Sequence, residues 1–292
     1  ELDVQEVSDE RGTPCVVSGN FSLRPPAELR RALEGMGVTH RRHVVVYTQA
    51  VKLGAFDLAV AARLAWCLRY AGVERVSLLA DGLSAWRAAG LPLSDTPAPR
   101  VAVADFFDGD ASLSFPANPQ FLASTAEVAA TVAAADDAHA QLADVRSWEE
   151  FCGEGNGYPY PFPLGRIPTS HWAHWGPSTY IGGDFFVAVS GALLPLKGTE
   201  DLWRQWGLDI GGRKRLLFYC GSGWRSSVAW CLAQLMGHTD CANFDGGFLE
   251  WAVLDEKAAE RPIAMGAPSG VREFSCEASK PIQRPVVARC ES

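Results

Sequence analysis

Short apolar runs alternate with helical patterns along most of this chain. HVVVY (43–47), VSLLA (76–80) and LLFY (216–219) are continuous apolar runs of strand length, as expected of strands buried on both faces of a sheet. Between them lie stretches with apolar residues three and four apart. PPAELRRALEGMG opens at Pro25 and Pro26, sets Leu29, Leu33 and Met36 on one face, and stops at Gly37. AARLAWCLRYAG (61–72) and SSVAWCLAQLMG (226–237) each end on glycine, and the serines Ser226 and Ser227 are good N-caps for the second. In STAEVAATVAAA (124–135), Ser124 and Glu127 have capping-box spacing. Strands alternating with helices predict an α/β fold of parallel sheets flanked by helices.

The pattern occurs twice. Strand, loop, helix, strand and a (D)G(G)xxxW turn run to Trp86 in the first half and to Trp251 in the second. From the helix-ending glycine to the tryptophan is 14 residues in both, Gly72 to Trp86 and Gly237 to Trp251. The copies differ after the first strand: Thr48 stands where the second copy has Cys220, and the loop TQAVKLGAFDLAV is seven residues longer. The expected organisation is a non-catalytic unit at 1–95, a Pro-, Asp- and Ser-rich linker at 96–122, a catalytic unit at 123–258, and a tail at 259–292 that wraps the surface or stays disordered. The second copy begins with ADVRSWEEF (143–151) and GRIPTSHW (165–172), and nothing before Pro25 matches either. The first unit is therefore expected to lack its front part, as in a processed or shortened form of a longer chain.

Composition narrows the classes. The 292 residues carry a formal net charge of −8 and no basic block, which argues against a nucleic-acid partner. No apolar run approaches the roughly 20 residues that span a bilayer, so no membrane partner is expected. Eight scattered cysteines with no CxxC pair suit reduced thiols better than zinc or a disulfide framework, so no metal or cofactor is expected. That favours a soluble protein of a reducing compartment, cytoplasm or mitochondrial matrix, with the periplasm left open.

Cys220 is the candidate nucleophile. It stands between the carboxyl end of a strand and the amino end of a helix, followed by Gly221, Ser222, Gly223, Trp224, Arg225 and Ser226. Backbone amides, the helix dipole and Arg225 all favour a thiolate there, and such settings lower a cysteine pKa from about 8.5 to roughly 3.5–7.5. The scheme requires the sulfur to be open to solvent with loop amides turned toward it. Arg146 is expected to form a structural ion pair beneath the loop, and Asp245 to cap the following turn. A Cys–Arg phosphatase would need C-x5-R to surround a tetrahedral phosphoryl group; Cys220 to Arg225 is C-x4-R, one residue short.

C-x4-R-S at a strand–helix turn, with the repeated (D)G(G)xxxW turn, resembles the rhodanese sulfurtransferases over roughly residues 25–95 and 140–255. ADVRSWEEF and GRIPTSHW resemble that family's D-x-R strand and GHIPGA segment. The resemblance implies that Cys220 takes a sulfane sulfur as a persulfide, held by the amides of residues 221–225. It would then pass the sulfur to a thiophilic acceptor: cyanide, a thioredoxin-like dithiol or a protein thiol. It also implies that the Thr48 copy is catalytically silent and walls the cleft. CGSG resembles the loop of 3-mercaptopyruvate sulfurtransferases, whereas Trp224 and Arg225 resemble the CGTGWR loop of multi-domain bacterial members. Those members also carry GYxY, here Gly157, Tyr158, Pro159 and Tyr160. 3-Mercaptopyruvate is the favoured donor and thiosulfate the alternative. Mercaptopyruvate enzymes supply an arginine from the segment that here reads RSWEEFCG, but Glu150 holds that position. Arg166, His171 and His174 are candidate substrate cations, with Tyr158, Trp172 and Trp175 as cleft aromatics. A non-enzymatic rhodanese-like binding module is the alternative of another class; Thr48 would fit it and Cys220 argues against it.

Overall fold

The apolar runs become parallel strands, but only that at 215–219 is buried on both faces; in the first half Val45 is half exposed and residues 75–78 alternate between exposed and half-buried, because that sheet has only two strands among the described residues. The computed structural model describes residues 22–48, 55–79, 82–96, 98–155, 163–173, 196–255 and 257–268, with the backbone of 5–8 and 14–17. At the front, β1 (Gln5–Ser8) pairs antiparallel with β2 (Pro14–Val17). In the first half, helix α1 (Pro26–Gly35) leads to β3 (His43–Val46), α2 (Ala55–Ala71), β4 (Arg75–Leu78) and α3 (Gly82–Ala88). In the second half come α4 (Thr125–Ala134), β5 (Ala140–Asp144), α5 (Trp148–Cys152), β6 (His171–Trp172), α6 (Leu196–Gln205), β7 (Arg215–Tyr219), α7 (Trp224–Leu235), β8 (Cys241–Asn243) and α8 (Gly247–Leu249). β3 and β4 pair in parallel, and the second sheet has the order β6-β5-β7-β8, also parallel.

Backbone hydrogen bonds reproduce the repeat. Leu79 N–H donates to the Val46 carbonyl, as Phe244 N–H does to Phe218, and Leu83 N–H donates to Thr48, as Phe248 N–H does to Cys220. Between each of these pairs sits a glycine at φ 58°, Gly82 or Gly247. Thr48 and Cys220 are therefore structural equivalents. The loop after Thr48 is shorter than its sequence implies, because α2 already begins at Ala55 and absorbs part of the apparent insertion.

Strand parity decides which way each side chain faces. Leu216 and Phe218 of β7 enter one core, Leu217 and Tyr219 the other. Cys220 continues the first set. That core is shared between the halves: Ala62 and Trp66 of α2 pack with Val228, Trp230 and Leu232 of α7. Trp66 and Trp230 are fully buried, and losing a buried indole costs on the order of 3–5 kcal/mol. Parity therefore aims the thiol at the seam between the two copies.

The segment expected to link the halves is packed. Phe106 and Phe107 join Leu33, Val46 and Leu68 in the first half's core, and Trp66 Nε1 donates to the Phe121 carbonyl at 2.9 Å. Ser124 caps α4 by accepting from Glu127 N–H. Beyond Trp251 the described chain follows the surface: Trp251 Nε1 donates to Pro262, and Ala264 bridges to Arg166. Among the described residues no helix is long and apolar enough to cross a membrane.

Candidate active site

Cys220 is the first residue after β7, and three loop residues later the chain enters α7. The helix starts three residues earlier than Ser226 as N-cap would place it. Gly223 is its N-cap at φ 78°, a left-handed turn that admits Trp224 and Arg225 to the first helical turn. Ser226 and Ser227 are consequently inside the helix and fully buried. Ser226 Oγ lies 3.7 Å from Cys220 Sγ, and Ser227 Oγ donates to the Gly223 carbonyl at 2.7 Å.

The carbonyls of this loop are held by donors outside it. Phe248 N–H donates to Cys220 O at 2.8 Å and Leu249 N–H to Gly221 O at 3.0 Å. Gly247 must be glycine for this contact, since a Cβ there would stand 2.6 Å from Cys220 O. Asn243 Nδ2 donates to Gly223 O at 3.1 Å, beside Ser227. Among the described residues, the amides of Gly221, Ser222 and Gly223 meet no acceptor. Three adjacent donors left unpaired beside a sulfur at a helix start make an anion site.

Arg225 is not a free cation. Its two terminal nitrogens donate to the two oxygens of Glu150, each at 2.8 Å, and both side chains are buried. Burial pushes the Glu150 carboxyl up, but the Arg225 guanidinium, Arg146 and the Ser147 amide hold it below the usual carboxylate range. Glu150 also closes the capping box of α5 with Ser147. The residue standing where a substrate arginine was sought thus anchors the loop arginine instead. Arg225 ties the first turn of the α7 helix to Glu150 of α5, and with that carboxylate beside it the pair adds a dipole rather than the positive potential expected of a lone arginine.

Parity also relocates the other candidates. Arg166 lies toward the Tyr219 face of the sheet, opposite the thiol. Its Nη1 donates to the carbonyls of Phe151 and Gly266 at 3.2 and 2.5 Å, and its guanidinium covers the Phe151 ring. His171 Nε2 meets Gln141 at 3.1 Å, toward the start of β5 and away from the loop, and burial lowers its pKa. Trp172 Nε1 donates to the Arg146 carbonyl, and its ring packs between Trp148 and Trp206 at centroid distances of 4.8 and 4.9 Å. No described contact joins these three to Cys220. Tyr158, Tyr160, His174 and Trp175 lie outside the described residues. Arg146 makes the expected ion pair: its Nη2 donates to Asp144 at 2.6 Å with both groups sealed from solvent.

Two findings run against the sequence reading. Cys220 is only 1% exposed, because α2 of the first half packs over the face toward which β7 points it. Asp245 looks outward to the first half rather than capping its own turn. It accepts from Leu23 N–H at 2.5 Å and pairs with Arg63 of α2, which also reaches the Gly223 carbonyl at 3.5 Å. Arg63 had no sequence signal, since its partners lie 160 and 182 positions away.

The remaining described cysteines are poor nucleophiles. Burial pushes Cys67 and Cys152 up to about 11 and Cys241 to about 12, and raises Cys231 further.

Comparison with known proteins agrees with this geometry. Residues 126–253 match the family described as rhodanese-like domain. The thiosulfate sulfurtransferase YnjE of Escherichia coli is 32% identical over 239 residues, which are 82% of this chain and 50% of that protein. A Pseudomonas aeruginosa protein named as a probable 3-mercaptopyruvate sulfurtransferase is 31% identical, over 86% of this chain and 77% of its own length. Among solved structures, an anaerobic ergothioneine biosynthesis enzyme from Chlorobium limicola, bound to its natural substrate trimethyl histidine, superposes with a TM-score of 0.72 at 33% identity. That match covers 85% of this chain and 56% of the other. The chain thus spans about half the length of YnjE and of the Chlorobium enzyme. With two parallel sheets, an internal repeat and a cysteine loop at a helix start, this chain belongs to the rhodanese family of sulfurtransferases.

Proposed function

We propose that this protein transfers sulfane sulfur through a persulfide on Cys220. The observation that supports it is the loop itself: the carbonyls of Cys220, Gly221 and Gly223 are bonded away, and among the described residues the amides of Gly221, Ser222 and Gly223, which follow Cys220 in the chain, meet no acceptor. The Cys220 thiolate attacks the outer sulfur of thiosulfate, breaking its S–S bond and releasing sulfite, or the thiol sulfur of 3-mercaptopyruvate, breaking its C–S bond and releasing the enolate of pyruvate with the bonding electrons. The persulfide's terminal sulfur then passes to a nucleophilic acceptor, regenerating the thiolate. Arg225, held by Glu150, fixes the first turn of α7, whose dipole stabilises the anion. The structure does not meet the solvent-open condition stated from the sequence, since Cys220 is 1% exposed, so the proposal requires that the donor displace part of the packing above the sulfur.

Both donors remain in view. 3-Mercaptopyruvate is supported by the CGSG start of the loop and by the Pseudomonas relative; thiosulfate by the name of the E. coli relative. Thiocyanate release from cyanide with each donor ranks them. Turnover with either is expected, and C220S should abolish it. Turnover that survives C220S, or none with either donor, overturns the proposal.

A second acceptor class has an observation behind it. Trp148 of α5, Trp172 of β6 and Trp206 just after α6 form a contiguous aromatic cluster, none of whose described contacts reaches Cys220 itself. Aromatic faces attract quaternary ammonium groups, and trimethyl histidine, the substrate of the Chlorobium enzyme, carries one. Replacing cyanide by trimethyl histidine in the same assay tests this class; thiohistidine product supports it and its absence removes it.

A further inference from the structure

Gly223 is the point where the sulfur loop becomes a helix, and its carbonyl is the one most dangerous to an anion. Were that peptide to rotate, a carbonyl dipole would replace an amide beside the sulfur. Three side chains hold it outward: Ser227 Oγ at 2.7 Å, Asn243 Nδ2 at 3.1 Å and Arg63 Nη1 at 3.5 Å. Two belong to the catalytic copy; Arg63 does not.

The first half fixes Arg63 from several sides. It leaves α2 one turn before Cys67, its guanidinium lies 4.7 Å from the Trp66 ring centroid, and its side chain is only 8% exposed. It pairs with Asp245, whose other oxygen takes the Leu23 amide. Both partners of this carboxylate therefore come from the first half. Asp245 in turn presses on the loop, since a Cβ on Gly223 would stand 2.6 Å from its Oδ1. Burial works against the Arg63 charge, but Asp245 and the sulfurs of Cys67 and Cys220 more than offset it.

We infer that Arg63 is a positioning residue for sulfur transfer, through which the copy with Thr48 in place of the loop cysteine holds the Gly223 corner of the other copy's sulfur loop. A purely structural ion pair would add to stability alone. A positioning one also sets how often the loop amides face the sulfur, and so acts on the rate at saturating donor rather than on donor affinity.

The test compares R63Q, R63K, D245N and the R63Q/D245N pair with the wild-type chain. Single-turnover sulfur loading is followed by mass with thiosulfate and with 3-mercaptopyruvate, and amide hydrogen exchange of residues 220–227 is followed in parallel. R63Q should slow loading at saturating donor on the order of tenfold to a hundredfold, as small misplacements do. The donor concentration for half-maximal rate should stay within about threefold of wild type, since the positive charge lost already had a partner in Asp245. Exchange in the loop should rise, R63K should recover part of both, and the double variant should be no worse than R63Q. An unchanged loading rate and unchanged loop exchange in R63Q overturn the inference, as does an equal loss of protection across the whole chain. The inference rests on sulfur transfer for its kinetic readout. Wild-type protein that loads from neither donor defeats sulfur transfer, and loop exchange then decides the role of Arg63 alone.

Discussion

Thr48 and Cys220 occupy the same corner in two copies of one motif, each carbonyl bonded by the residue after a glycine at φ 58°. Their surroundings diverge. β7 lies between β5 and β8, and its last residue, Tyr219, is 0% exposed; among the described residues β3 pairs only with β4, and Tyr47, which follows it, is 56% exposed. A nucleophile held to a few tenths of an ångström needs the first setting, where neighbours on both sides lock the strand. The first copy has put its helix to work instead. α2 covers the thiol and sends Arg63 to the loop. Under the proposed sulfur transfer the two copies would divide one task, with the sulfur in one and part of its support in the other.

The sharpest way to break this division is at Glu150. E150Q leaves Arg225 buried without its counter-charge, and removing one partner of a buried pair costs about 3–5 kcal/mol. Urea unfolding at pH 7 should show that loss, with sulfur loading falling alongside. The pH dependence has a definite sign. Glu150's pKa is lower in the folded chain than in the unfolded one, where carboxyls titrate near about 4.3, so the unfolded chain binds more protons between the two values. The pair's contribution is complete above that window and lost as pH falls through the folded value. The stability gap between wild type and E150Q should accordingly narrow in acid. A gap that stays constant with pH contradicts the pairing.

Smaller effects separate the copies. G247A forces a side chain into a left-handed conformation and against Cys220 O, costing about 1–3 kcal/mol for the backbone alone. Loading should fall as well, because the loop carbonyls lose their anchor. G82A meets the same φ in the first copy and should destabilise similarly while leaving sulfur loading unchanged. If G82A slowed loading as much as G247A, the turn of the first copy would be part of the machinery too.

Much of this was legible in the chain. Continuous apolar runs gave β3, β4 and β7, glycine stops gave the ends of α2 and α7, and spacing aligned Thr48 with Cys220. The start of α7 was misplaced because a left-handed glycine outranked two good serine caps, and only φ reveals that. The packing of 96–122 was hidden by its Pro- and Asp-rich composition, though Phe106 and Phe107 were the available clue. Arg225–Glu150 and Arg63–Asp245 join residues 75 and 182 positions apart, and no periodicity encodes such pairs. The described substrate candidates, Arg166, His171 and Trp172, were chosen by residue type, and none of their described contacts reaches Cys220. Arg166 is taken up by the carbonyls of Phe151 and Gly266, contacts over 15 and 100 positions that no local pattern shows.

One measurement bears most directly on the division between the copies: peptide mass mapping of sulfur in the T48C variant after exposure to thiosulfate or 3-mercaptopyruvate. An added sulfur on the peptide containing Cys220, with none at position 48 and none on Cys67 or Cys152, is the result predicted. Sulfur at position 48 in comparable amount, or on any peptide other than that of Cys220, would contradict it.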